Sequence, residues 1–191
     1  MPRKTLAAPG LDRRSGPSRA RIRRMALRDV PPVSAMEAAC FGAEAWPREA
    51  FRELLVAFAQ ARPSRGGLWV AEEPRSGEIL GYVGVELSAL RGEMDVINIG
   101  VAPERRRQGV GRLLLTWVLR HCRRQGVSLL WLRVRASNRS ARAFYRRLGF
   151  EARGRFGAYY REPDEAAIIM AREMAPGPIY GRPGRETEGA A

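Results

Sequence analysis

Three consecutive arginines and two glycines stand in the run Val101–Leu115, "VAPERRRQGVGRLLL", at the mouth of an apolar helical pattern. Arg105, Arg106 and Arg107 supply cationic donors, and the spacing Arg106-x-x-Gly109-x-Gly111 removes side chains where a ligand needs to approach the backbone. A helix that starts at once after such a loop presents unpaired N–H groups at the positive end of its dipole, which suits an anion and fits a pyrophosphate. The loop is not a Walker phosphate loop, because no Gly-Lys-Ser/Thr follows, and it lacks the glycine spacing and downstream acid of a dinucleotide fingerprint. Read alone, the glycines would only turn the chain and the arginines would be a solvated surface; the neighbouring segments change that balance.

Other chemistries find less support. His121 is the only histidine and stands near the end of the long helical pattern, where an ordinary dipole interaction accounts for it. No metal site is expected, since Cys40 and Cys122 are the only cysteines and are far apart. Without a Gly-x-Ser-x-Gly motif the hydrolase reading is also weak.

The elements that must position the arginine loop follow from periodicity. A short strand near Ile22–Ala26 leads into two helices, "VPPVSAMEAACF" and "PREAFRELLVAFAQ", the second with Phe51, Leu54, Leu55 and Phe58 at helical spacing. "GGLWVAEE", "EILGYVGVELSAL" and "EMDVINIGVAP", separated by "PRSG" and "LRGE", read as an antiparallel meander. From Gly109, Val110, Leu113, Leu114, Trp117 and Val118 mark a long amphipathic helix that stops at Gly126. "VSLLWLRVRA" is a buried strand, "SNRSARAFYRRLGF" a helix capped by Ser137 or Asn138, and "DEAAIIMAREM" a last strand. The order βααβββαβαβ, with one further strand left open near the end, predicts an α/β sandwich on a mixed, mostly antiparallel sheet flanked by helices.

The chain of 191 residues, 45% hydrophobic, suits one folded unit over residues 21–174, with a basic disordered arm at 1–20 and a flexible tail at 175–191. Its formal net charge of +14 directs attention to anionic partners, although every basic residue except Lys4 is arginine, a uniformity closer to coding bias than to a built site. Residues 1–24 hold eight basic side chains against Asp12 alone, a net +7, which is half of the total. The arm is not followed by the apolar run of a signal peptide and no stretch is long enough for a membrane span, so a cytoplasmic protein with reduced thiols and no membrane partner is expected.

"NIGVAPERRRQGVGRLLL", "LRVRASNRSARAFYRRLGF" and "GAYYREPDEAAIIM" resemble the GNAT N-acetyltransferases, specifically the RimI-type branch that acetylates protein N-terminal amines, and "CFGAEAWPREAF" is similar to the segment shaping that branch's peptide site. The resemblance covers about residues 21–174 and implies the GNAT fold with acetyl-CoA as the acyl donor. It implies that the pyrophosphate rests on Arg106, Arg107, Gln108, Gly109, Val110, Gly111 and Arg112, and that the pantetheine pairs with the backbone of Ile99, Gly100 and Val101. Asn138 would hydrogen-bond the cofactor, the Val101 N–H would meet the developing oxyanion, and Tyr145 would protonate the departing sulfur. Tyr145 can equally be a core tyrosine with a satisfied hydroxyl.

The sequence departs from the branch at its base: the glutamate of the motif Glu-Val-Arg-Ala-Ser-Asn is replaced by Arg133, which cannot accept a proton. Strand alternation keeps Trp131, Arg133 and Arg135 on one face, toward the amine. Asp95, six residues before Val101 and by alternation on the face of Ile97 and Ile99, is the candidate substitute, working through a water, with Glu93 as the fallback; either can be a solvated charge. Trp46, Arg133, Tyr159 and Tyr160 are the candidate acceptor contacts. The favoured acceptor is a protein N-terminal peptide, by resemblance that of a ribosomal protein. The competing functions are acetylation of a small-molecule amine and a ribosome- or nucleic-acid-binding module without turnover.

Overall fold

The computed structural model describes residues 20–61, 66–88, 92–161 and 163–174; the arm and tail expected at 1–20 and 175–191 lie outside these apart from Ala20. Strand β1 (Arg21–Arg24) is followed by helices α1 (Val30–Phe41) and α2 (Arg48–Gln60), the meander β2 (Gly66–Glu72), β3 (Ile79–Leu87) and β4 (Glu93–Val101), then α3 (Val110–Arg124), β5 (Leu129–Arg135), α4 (Arg139–Arg147), β6 (Glu151–Arg161) and β7 (Asp164–Glu173). The seven strands form one sheet in the order β1-β2-β3-β4-β5-β7-β6, antiparallel except where β4 meets β5. That is the mixed, mostly antiparallel sheet that the sequence predicts. The first strand is shorter than expected, because Met25 is already buried and a turn begins at Leu27.

Each face of the sheet carries a helical layer and its own apolar core. Val110, Leu114, Leu115 and Val118 of α3, with Tyr145 of α4, pack on Met94, Val96, Leu130 and Leu132. Val30, Val33 and Met36 of α1, with Phe51 and Phe58 of α2, pack on Leu68, Val70 and Tyr82 of the other face. The sheet is thus buried on both sides over its central strands, whereas β6 is an almost wholly exposed edge.

Two irregularities in β4 position the site. The pairing with β3 slips between Gly84↔Asn98 and Val85↔Val96, leaving Ile97 as the extra residue of a β-bulge. The pairing with β5 runs only from Glu93↔Leu129 to Val96↔Leu132, after which the two parallel strands part. β5 stays paired with β7 as far as Arg135↔Ala167. The upper halves of β4 and β5 therefore face each other across an opening whose backbone groups no other strand takes up.

Candidate active site

The loop after β4 ends in Gly109, whose φ of +87° is left-handed and suits glycine, and α3 starts at the next residue with no side-chain cap. The first backbone bond into the helix is Leu113 N–H to Gly109 O at 2.9 Å. The amides of Val110, Gly111 and Arg112 are left as the free donors of a helix N-terminus. Of the three neighbouring arginines, Arg105 is committed to Glu78 at 2.6 Å, while Arg106 and Arg107 form no ion pair among the described residues. Arg106 folds back, its Nε 3.4 Å from Val101 O and its Nη2 3.4 Å from Cys40 Sγ. Arg112 lies in the first turn of α3, where the dipole disfavours a cation, so an anion at this end would relieve it.

Ala102 N–H donates to Leu80 O at 3.1 Å. Antiparallel alternation then turns the Ile99 and Val101 backbone groups away from β3, into the opening beside β5, and the Gly100 groups toward β3. Gly100 contributes closeness instead: a Cβ there would stand 2.5 Å from Tyr82 Cε1. The bulge corrects the expected face of Asp95. Ile99 and Val101 pack on the α3 side with Met94 and Val96, so Asp95 shares the α1–α2 side with Ile97 but not with Ile99. A one-residue slip exchanges the two faces of everything beyond it.

Asp95 meets Arg133 in an ion pair through Oδ2, and its other oxygen, Oδ1, is buried without a hydrogen-bond partner among the described residues. Glu93 is engaged by Trp131 Nε1 at 2.7 Å. Arg133 and Arg135 stand on the Asp95 side as alternation predicts, opposite buried Leu130, Leu132 and Val134. Arg135 reaches Glu44 at 3.1 Å and Glu165 at 3.2 Å and lies 4.2 Å over the Tyr160 ring. Tyr159 and Tyr160 meet edge to face, in a stretch of β6 where the register slips and Ala158 takes φ +45°. A cleft of about 360 Å³ lined by Ala43, Glu44, Tyr159 and Arg161 opens beside them. Phe156 and Tyr159 are exposed at this edge, an aromatic shelf beside that cleft.

Tyr145 is buried against Phe144 and Phe150 at 5.4 and 6.0 Å, yet its hydroxyl has no hydrogen-bond partner among the described residues. Burial, with the neighbouring Tyr160 adding to it, pushes this phenol up to about 12, so it carries its proton throughout the physiological range. Asn138 caps α4, its Oδ1 accepting from Ala141 N–H at 3.0 Å, which leaves the amide NH₂ for another partner. His121 is outside the site: it stacks on Trp117 at 5.1 Å, and burial, then Arg124 and Arg24, lower its pKa. Aromatic packing of a neutral ring, rather than a charge on the helix dipole, accounts for it.

One participant was missed in the sequence. Glu37 of α1 is almost fully buried; its Oε1 accepts from the Trp46 N–H at 2.9 Å and from Asn98 Nδ2 at 3.0 Å, and its Oε2 from the Tyr82 hydroxyl. Burial pushes the carboxyl up, against the lowering effect of the Trp46 and Asn98 donors. Trp46 also packs on Phe51 at 5.7 Å, so the loop before α2 is held from two sides. The signal was available: Glu37 is the only charge in a helix of otherwise apolar and small residues.

A sheet that opens beside a strand bulge, with free helix amides at the head of the opening, is the frame of an acyltransferase. Residues 30–150 match the Acetyltransferase (GNAT) family, and the chain belongs to it. The [ribosomal protein bS18]-alanine N-acetyltransferase of Escherichia coli strain K12 is 46% identical over 81 residues, 41% of this chain and 55% of that protein. The chain thus spans about half the length of the curated relatives it matches there. A putative enzyme of the same name from Bacillus subtilis strain 168 is 28% identical over 153 residues, 80% of this chain and 95% of that one. The crystal structure of the ribosomal-protein-S18-alanine N-acetyltransferase from Escherichia coli superposes with a TM-score of 0.69 at 29% identity, covering 85% of this chain and 99% of that one. Among the described residues, no helix is long and apolar enough to cross a membrane, and no group of three or more His, Cys, Asp or Glu side chains could hold a metal ion.

Proposed function

We propose that the chain transfers the acetyl group of acetyl-CoA to the N-terminal α-amine of a protein, with a ribosomal protein as the favoured acceptor. The observation that carries this reading is the parting of β4 and β5 above Val96 and Leu132, with the Val101 N–H turned into the gap and the free amides of α3 at its head. The residues present fit the cofactor: Gly109 and Gly111 leave the cradle open, Arg106, Arg107 and Arg112 supply charge, and Ile99 and Val101 offer an unpaired strand edge to its amides. When bound, acetyl-CoA supplies the activated acyl thioester.

The chain's own groups then have separable tasks. The Val101 N–H donates to the oxygen on which negative charge develops. The Tyr145 hydroxyl holds the proton that the leaving sulfur needs. Asp95, whose Oδ2 is held by Arg133, takes the proton from the attacking amine through a bridging water. An α-amine with a pKa near ~8 is already partly neutral at pH 7, so a modest base on a neighbouring strand is sufficient. In effect the carboxylate that the branch carries at the position of Arg133 has moved across to β4.

The two helical layers differ in charge in a way that supports an RNA-rich setting for the acceptor. The sequences "VGRLLLTWVLRHCRR" of α3 and "RSARAFYRR" of α4 contain no acidic residue and eight arginines, four each. On the other face α1 and α2 carry Arg48 and Arg52 against Glu37, Glu49 and Glu53. Coding bias would enrich both layers alike, whereas a phosphate-rich surface would be met by one.

A panel of synthetic peptides, with a parallel panel of polyamines and aminoglycosides, tests the reading by mass spectrometry. Acetylation at the α-amine of alanine-starting peptides is expected, with little on lysine side chains. Turnover of the small amines alone would establish the competing activity, and turnover of neither would leave a binding module.

A further inference from the structure

The Glu37 carboxylate is enclosed by three different elements, and its position relative to the proposed acceptor groove gives it more than a packing role. Both oxygens are occupied: Oε1 by the Trp46 N–H and Asn98 Nδ2, Oε2 by the Tyr82 hydroxyl, which also stands 3.2 Å from Asn98 Oδ1. With every donor directed inward, the group is not placed to collect a proton from substrate. It is placed to fix whatever its donors belong to, and those are unlike. Trp46 belongs to the loop that enters α2 at the wall of the groove. Tyr82 is the β3 ring over Gly100, and Asn98 immediately follows the bulge residue Ile97 in β4.

The bulge decides which edge of β4 the backbone beyond it presents. Asn98 turned inward to Glu37 is compatible with Ile97 as the extra residue; if Asn98 were released, the strand could slip by one residue against β3 and present Gly100 rather than Val101 to the opening. The same carboxylate secures the Trp46 loop through a backbone N–H, a contact that no substitution at Trp46 itself removes. A buried carboxylate held by neutral donors costs more in desolvation than an apolar side chain would. Simple packing of α1 on the sheet therefore gives no reason for it.

We propose that Glu37 is a positioning residue for acyl transfer, locking the Trp46 loop and the Asn98 bulge into one register so that the acceptor amine meets the Val101 N–H and the thioester at a fixed separation. This rests on the acceptor-groove reading given under the proposed function. It predicts an asymmetric defect, in which use of the acceptor suffers most, because the cofactor keeps its phosphate seat at α3, which the bulge does not touch.

The test uses the full chain carrying Glu37→Gln, which keeps the shape, and separately Tyr82→Phe, which removes one donor without touching the carboxylate. Amide hydrogen exchange reads the lock directly. In Glu37→Gln, exchange at Trp46 and around Asn98 should accelerate by about 10- to 100-fold, with α3 unchanged, as expected for losing buried hydrogen bonds to a charged group. With an alanine-starting peptide, kcat/KM for the peptide should fall by roughly 10-fold or more, while KM for acetyl-CoA and CoA affinity stay within about twofold. Tyr82→Phe should show the same pattern with a smaller amplitude.

Unchanged exchange at Trp46 and Asn98 in folded Glu37→Gln would overturn the proposal. So would a variant in which both substrates weaken together in step with a lower Tm, since that is a fold defect and not a positioning one. If the unsubstituted protein acetylates no peptide at all, the proposed function fails and the positioning role for acyl transfer fails with it, whatever the exchange data say about the lock. Turnover by the unsubstituted protein without the asymmetric defect would remove only the role of Glu37.

Discussion

Phenylalanine in place of Tyr145 is expected to lower kcat by about 10²- to 10³-fold while CoA affinity stays within about twofold. The ring would keep its packing on Phe144 and Phe150, so only the hydroxyl is lost. Among the described residues that hydroxyl has no partner to leave stranded, which separates this substitution from the usual deletion of a buried polar group. Because burial holds the phenol near 12, it remains a proton donor across the range in which the acceptor amine loses its own proton. The unsubstituted enzyme should therefore show a rate that rises through pH ~8 with the amine, with no decline near pH 10 where an ordinary tyrosine would ionise. Steady-state kinetics with a peptide acceptor decide the matter. An unaltered kcat would make Tyr145 a core residue and nothing more.

The second large effect is expected at Asp95. Asp95→Ala should reduce kcat/KM for the peptide by about 10²-fold, close to 2.7 kcal/mol of transition-state stabilisation. Its residual rate should keep rising beyond pH 8.5, as hydroxide and free amine take over the proton transfer. Arg133→Gln, which removes the partner but keeps the carboxylate, should cost less, about 10-fold, because Asp95 would then be poorly oriented rather than absent. Exposure of the Arg133 side chain, 43%, lets the guanidinium stay solvated when Asp95 is removed, so neither change should unfold the chain. If Asp95→Ala leaves both the rate and the pH profile intact, the base lies elsewhere; Glu93, held by the Trp131 indole, is then the next to replace.

The element order was legible because each helix and most strands announce themselves by period: α3 by Val110, Leu114 and Val118, β5 by the alternation of Leu130, Leu132 and Val134 against Arg133. The loop and helix start of the proposed anion cradle were legible because left-handed glycine and free helix amides are local properties of a short run. The β4 bulge was not, since "DVINIGV" is apolar at almost every position and offers the same pattern in either register. The faces of Ile99 and Val101 therefore came out reversed relative to Asp95. The parting of β4 from β5 depends on partners remote in sequence and leaves no periodic mark. Strand β6 leaves no mark for a different reason: it is an exposed edge carrying Gly154 and Gly157, so the alternation that betrays a half-buried strand is absent. Asn98, polar within an apolar strand, and Glu37, charged within an apolar helix, were each visible singly. Only the fold brings them to within 3.0 Å.

Isothermal titration of the folded protein with coenzyme A bears most directly on the polyphosphate seat at the head of α3. One site with a Kd on the order of 10 μM, about −7 kcal/mol, is expected, weakening as salt is raised, as the proposed contacts of the phosphates with Arg106, Arg107 and Arg112 require. Well-folded protein that gives no heat of association at millimolar coenzyme A would contradict it.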